Sequence, residues 1–284
     1  MSNLSNRTKG ILFLVVAAFG FAVMSMFIKF VDADIPVTQK VLFRNGVSMI
    51  VSFIMVISHK SSFYGKKENQ KLLLSRSALG TVGMLLFFYS VTQLDLSDAN
   101  MLNKLSTFFL ILFSALFLKE KVKINQATAI IIAFVGSLFI IKPAFNIEIL
   151  PYITSVLSAA FAGAAYTLLR VLGKKEEYYT VVLYFSTFSF VVMLPFVIFG
   201  YVPMSGMDLV YLILIGVFAT IGQFGTTLAY KYAPANEISI FNYTNVVFAA
   251  IISIIVFDVN PDPISIIGYV IIFAAAYYVF RSKK

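Results

Sequence analysis

Residues 97–122 read SDANMLNKLSTFFLILFSALFLKEKV. The run is apolar or small over about 20 positions and closes on Lys119-Glu120-Lys121. Within it Asn100, Asn103, Lys104 and Thr107 stand three, four and seven apart, so all four lie on one helical face. A lysine so far inside a helix of lipid-spanning length is costly unless its face meets water, a partner or a ligand. A second stretch of the same build runs from Ala235 to Val259, about 138 residues later. It carries Asn242, Tyr243 and Asn245 inside and Asp258 at the place expected to match Glu120. A polar-faced helix used twice predicts two halves around a shared site.

The whole chain agrees with this reading. Its 284 residues are 60% hydrophobic and 12% charged, with a mean hydropathy of +0.91. A soluble domain carries about 25% charged residues. Ten apolar segments are discernible, at 10–30, 37–57, 75–94, 97–118, 124–142, 150–172, 179–200, 208–230, 234–256 and 264–280. Segments of ~20 residues are long enough to cross a bilayer. They must be helical, because hydrocarbon offers no partners to an open backbone, and none shows the dyad alternation of a barrel. The predicted fold class is an all-α integral membrane protein with ten transmembrane helices as two inverted five-helix repeats. The repeats are bounded at 1–145 and 146–284. Five spans per half is an odd number, so the second half enters upside down.

Charge supports the same topology. With the N-terminus cytoplasmic and ten spans, 17 of the 22 Lys and Arg fall at inner ends, Arg76 among them. The outer loops carry mainly Asp and Glu, as the positive-inside rule requires. Both termini are then cytoplasmic, and a plasma membrane location follows. The run after Arg7 and Lys9 is too long for a signal core and is read as a retained first span. The net charge of +9 is spread over helix ends, which excludes a nucleic-acid patch. The chain has no Cys and a single His, His59, so thiolate metal sites and thiol nucleophiles are excluded. No phosphate-binding loop of the Walker type occurs. No clustered catalytic constellation occurs either. The chain is expected to be neither an enzyme nor dependent on a cofactor.

Several stretches together resemble the EamA-type transporters of the drug/metabolite transporter superfamily over nearly the whole chain. Helix 1 ends in Ile28-Lys29-Phe30, and helix 2 holds Leu42-Phe43-Arg44. Helix 4 ends in Leu116-Phe117-Leu118-Lys119-Glu120, and helix 6 holds Ala165-Tyr166-Thr167-Leu168-Leu169-Arg170. Gly216 to Gln223 in helix 8, taken to match Gly80 of helix 3, and Tyr243 to Asp258 in helix 9 complete the set. The resemblance implies a central cavity lined mainly by helices 1, 3, 4, 6, 8 and 9, and carriage of small organic solutes. The proline often present in helices 4 and 9 of such proteins is absent, with Thr107 and Asn245 in its place.

The candidate site residues follow from polarity inside apolar helices. Lys104, about 10 Å down helix 4 at 1.5 Å per residue, would bind an anion from the cavity. The alternative is snorkelling outward or pairing with Asp95 or Asp98. Asn100, Asn103 and Thr107 share its face. Tyr89 and Gln93 on helix 3, Tyr166 on helix 6, Gln223 and Thr227 on helix 8, and Asn242 and Tyr243 on helix 9 are further substrate-binding candidates. The alternative for these is hydrogen bonding between helices. Arg44 and Lys29 are charge candidates, Arg44 with Asp32 or Asp34 as expected partners. Glu237 is the candidate for coupling to a proton, as a carboxylate in low dielectric. The functional expectation is a secondary transporter of a small polar or amphipathic metabolite, amino acid-like or a related organic solute, working by alternating access. Its partners are that solute, the lipid bilayer and a coupling proton or counter-solute. The alternative is a non-transporting membrane receptor or assembly partner.

Overall fold

The computed structural model describes residues 4–119, 124–141, 149–173, 175–233 and 238–281. Among these the regular structure is helical. Helix α1 spans Asn6–Phe30, α2 Val37–Ser58 and α3 Gln70–Gln93, the last opened by a short 3-10 turn at Lys67–Asn69. The fourth apolar segment is two helices, α4 (Leu96–Asn103) and α5 (Ser106–Leu118). Next come α6 (Ile124–Ile141), α7 (Leu150–Leu172), α8 (Tyr178–Phe199) and α9 (Gly206–Tyr232). The ninth segment opens as a 3-10 turn at Ser239–Tyr243 and continues as α10 (Thr244–Phe257); α11 (Pro263–Arg281) closes the described chain. Among the described residues eight stretches are long and apolar enough to cross a membrane, counting α4 with α5 as one, and Phe241–Phe257 and Pro263–Tyr278 are shorter apolar stretches.

The surface is inverted relative to a soluble protein. Ile50, Phe53, Ile54 and Ile57 of α2 and Phe196, Ile198 and Phe199 of α8 are exposed. The interior instead holds Ser48, Ser52, Thr81, Ser189 and Thr220. Lipid drives no apolar collapse between helices, so small residues and hydrogen bonds must hold them together. On the α1–α9 seam, a Cβ added at Gly20 would lie 2.9 Å from the Phe218 carbonyl oxygen, and one at Gly225 2.9 Å from Ala17 Cβ. Near the end of α1, the capping box of Ser205 and Asp208 starts α9, and Asp208 also accepts the Asp32 amide at 3.1 Å.

The packing repeats when the two halves are exchanged. The main partners are α1 with α9 and α3 with α7, then α2 with α8 and α6 with α11. The ends of α5 and α10 fix the register. Lys119 (φ 54°) and Asp258 (φ 53°) both adopt the left-handed conformation, and each donates its amide to a serine carbonyl, Ser114 or Ser253. The shift is therefore 139 residues, which sets Asp258 against Lys119 rather than Glu120. Two hydroxyl pairs join corresponding helices of the two halves, and their threonines keep this register. Thr220 of α9 bonds Ser48 of α2 at 2.7 Å, and Thr81 of α3 bonds Ser189 of α8. Thr81 and Thr220 are 139 apart, so Gly83 corresponds to Gly222, and the match of Gly80 to Gly216 is three residues out.

Candidate functional site

The break between α4 and α5 falls on Lys104 and Leu105. At a shift of 139 it matches Tyr243 and Thr244, where the 3-10 turn passes into α10. Both halves thus interrupt the same helix at the same depth. An interruption frees backbone groups and is tolerated in a membrane only where protein or a wet cavity receives them. Asn103, just before the break, donates to Ser158 Oγ of α7 at 3.2 Å, and Ser158 donates to the Gly83 carbonyl at 2.7 Å. In the other half Asn245 donates to the Ala18 carbonyl of α1 at 3.0 Å. Each broken helix is thereby tied to the first helix of the opposite half.

Lys104 lies deep among the helices yet stays half-buried, as do Tyr166 and Tyr230. Among the described residues Lys104 has no ion-pair partner; neither Asp95 nor Asp98 takes it up. Asp98, in the first turn of α4, instead accepts a hydrogen bond from Tyr269 of α11.

A second cationic group lies across α2, α3 and α8. The Arg44 guanidinium is buried and donates to Asn45 Oδ1 at 2.7 Å and Gln223 Oε1 at 3.3 Å. Among the described residues its Nε has no partner. Arg76 is equally buried, and its Nε and Nη1 have no partner among the described residues either. Both guanidiniums lie against one ring: Arg44 is 5.4 Å and Arg76 4.0 Å from the Phe185 centroid. The Tyr166 phenol is in electrostatic reach of both. Arg44 therefore does not pair with Asp32 or Asp34 as expected; Lys40, buried one turn earlier, has Asp32 and Asp208 in reach. Arg76 corrects a second expectation, since it was counted among the basic inner ends.

The other candidates divide. Gln223 joins Arg44, and its carbonyl accepts from Thr227 at 2.8 Å. Asn242 donates to the Tyr230 hydroxyl at 3.0 Å. The Tyr243 hydroxyl is buried without a partner among the described residues. Thr107 sits half-buried in the first turn of α5, and Tyr89 half-buried on α3. Asn100 is turned back on the Leu96 carbonyl of its own helix at 2.8 Å. Gln93 is exposed and donates to Thr92. Lys29 is at the end of α1 over the Phe257 ring, 5.9 Å from its centroid. Glu237 lies outside the described residues. Among the described residues no cluster of His, Cys, Asp or Glu could hold a metal.

Two successive stretches, residues 8–142 and 149–281, match the model of the EamA-like transporter family. The chain belongs to that family. EamA-like relatives cover nearly the whole chain. The pseudopaline exporter of Pseudomonas aeruginosa is 29% identical over 277 residues, 97% of each chain. Solute carrier family 35 member G1 of Homo sapiens is 28% identical over 89% of this chain and 73% of its own. The S-adenosylmethionine uptake transporter of Rickettsia felis is 25% identical over 71% of each. A solved crystal structure shares the EamA-like fold at a TM-score of 0.70 and 13% identity, over 95% of this chain and 96% of that one. The protein is thus a multi-pass membrane protein with the two-repeat EamA fold, among relatives named as transporters.

Proposed function

We propose that this protein is a secondary transporter of a small polar or amphipathic metabolite, working by alternating access between two inverted repeats, 1–145 and 146–284. Ten spans with both termini cytoplasmic, in the plasma membrane, complete the reading. The observation that carries it is Lys104 at the break of α4 and α5, half-buried and without an ion-pair partner among the described residues. Matched interruptions in two repeats are where such carriers bind their solute. A lysine held there costs several kcal/mol and has a use when an anionic group of the solute arrives. Asn103, Tyr166, Gln223 and Asn242 supply further hydrogen-bonding groups for the solute. Names such as exporter and uptake transporter among the relatives support the class and leave direction open. A proton or counter-solute supplies the energy, with Glu237 as the coupling residue.

Counterflow in proteoliposomes of the purified protein tests the reading. Flux of a labelled amino acid-like metabolite should fall to background in Lys104→Ala while the variant stays folded. Its persistence at the original rate would exclude Lys104 from the path. Glu237→Gln should abolish the dependence of flux on a pH gradient.

A further inference from the structure

We infer that Arg44 and Arg76, stacked against Phe185, form a receptor for a carboxylate of the transported solute. The inference deepens the transport reading by naming the chemical class that the pathway selects. Two guanidiniums in the interior, with no carboxylate paired to either among the described residues, are an arrangement a protein does not keep for stability. Each buried charge needs an opposite charge or a full set of acceptors. Arg44 has two acceptors, both neutral amides, and leaves Nε free. Arg76 leaves Nε and Nη1 free and has no hydrogen bond among the described residues. Buried donors are satisfied almost without exception in proteins, so three free donors on two neighbouring side chains mark a missing acceptor.

The geometry selects the acceptor. Arg76, at 4.0 Å from the ring centroid, is held by Phe185, whose face favours a cation but accepts no hydrogen bond in the guanidinium plane. Among the described residues Arg76 therefore keeps both donor edges open, Nε with Nη2 and Nη1 with Nη2, and a carboxylate fits either fork with two parallel bonds. The Tyr166 phenol is in electrostatic reach of both arginines, and its hydroxyl can donate to an anion. A solute with one carboxylate here and a second anionic or polar group toward Lys104 would use both cationic groups.

The full-length protein in detergent, at constant ionic strength, is melted with succinate, glutamate or citrate, and with succinamide and inorganic phosphate as controls. A carboxylate that binds the folded state should raise the melting temperature by about 2–4 °C near saturation. The rise should be absent in Arg76→Gln and Arg44→Gln, and reduced in Arg76→Lys, which keeps the charge but not the fork. Without ligand the two Gln variants should melt no lower than the parent, since each relieves an unpaired buried charge. The inference is overturned if none of the three carboxylates acts, if succinamide or phosphate acts as strongly, or if the Gln variants respond as the parent does. It is also overturned if both Gln variants lose their fold, which would make the arginines structural. Binding that survives while counterflow fails would remove the transport reading and leave this receptor standing.

Discussion

Arg44 and Phe185 occupy the same position in the two halves of the protein. Ser48 and Ser189 are equivalent, because each bonds the matching threonine of the opposite half, so that between α2 and α8 the shift, from 48 to 189, is 141 rather than 139. Four residues before each serine comes Arg44 in α2 and Phe185 in α8. The two side chains therefore meet near the axis that exchanges the halves, at 5.4 Å from guanidinium to ring centroid. Symmetry is kept in the hydroxyl pairs that hold the bundle and broken at a cation and the ring that receives it.

Phe185→Leu should test that broken position. Leucine keeps apolar volume but removes the π face under Arg44 and Arg76. A desolvated cation–π contact is worth about 2 kcal/mol, so the variant should unfold more readily by roughly that amount in detergent denaturation. Phe185→Tyr, which keeps the face, should stay near the parent.

The α2–α9 crossing depends on the absence of a side chain at Gly216. A Cβ there would stand 2.5 Å from Val47 Cβ. Gly216→Ala should cost about 1–3 kcal/mol through overpacking. Adding Val47→Gly should recover much of the loss, so the double variant should be more stable than the sum of the singles predicts. Equal, additive losses would show that the two residues do not meet.

Lys119 and Asp258 hold the same left-handed turn at the ends of α5 and α10. Glycine carries no steric penalty there. Lys119→Gly should raise stability by up to about 1 kcal/mol, whereas Lys119→Val should lower it by about 1–2 kcal/mol. Asp258→Val should behave like Lys119→Val if the two turns are equivalent. Thermal melts of the purified variants give the ordering.

A seam near the ends of α2, α3 and α8 rests on one carboxylate. Glu176 Oε1 accepts the Lys66 amide at 2.8 Å and Asn69 Nδ2 at 2.6 Å. Hydrogen bonds to an ionised acceptor contribute about 1.5–3 kcal/mol each. Glu176→Ala should therefore speed hydrogen exchange at the Lys66 amide by about tenfold or more. Exchange inside α6 and α11, which the seam does not touch, should be unchanged.

The sequence by itself determined the helices, the membrane and the doubling of the chain. Lipid forces each long apolar run to satisfy its own backbone, so hydropathy alone located the described helices to within a few residues. Lys104 was legible for the same reason: a charge inside such a run stands out against apolar neighbours. The register was legible only approximately. Matching Glu120 to Asp258 by charge gave a shift of 138, and the paired left-handed turns at Lys119 and Asp258 corrected it to 139.

Tertiary structure alone decided which polar groups meet. Helical periodicity states which residues share a face, but not which helix that face will touch or how far along. Arg76 was therefore indistinguishable from a basic inner end, and Arg44 was assigned to nearby Asp32 and Asp34 rather than to Gln223, 179 residues away. The break at Lys104 and Leu105 was hidden as well. Beside it run the ties from Asn103 to Ser158 and from Ser158 to Gly83, contacts between segments that no local pattern records.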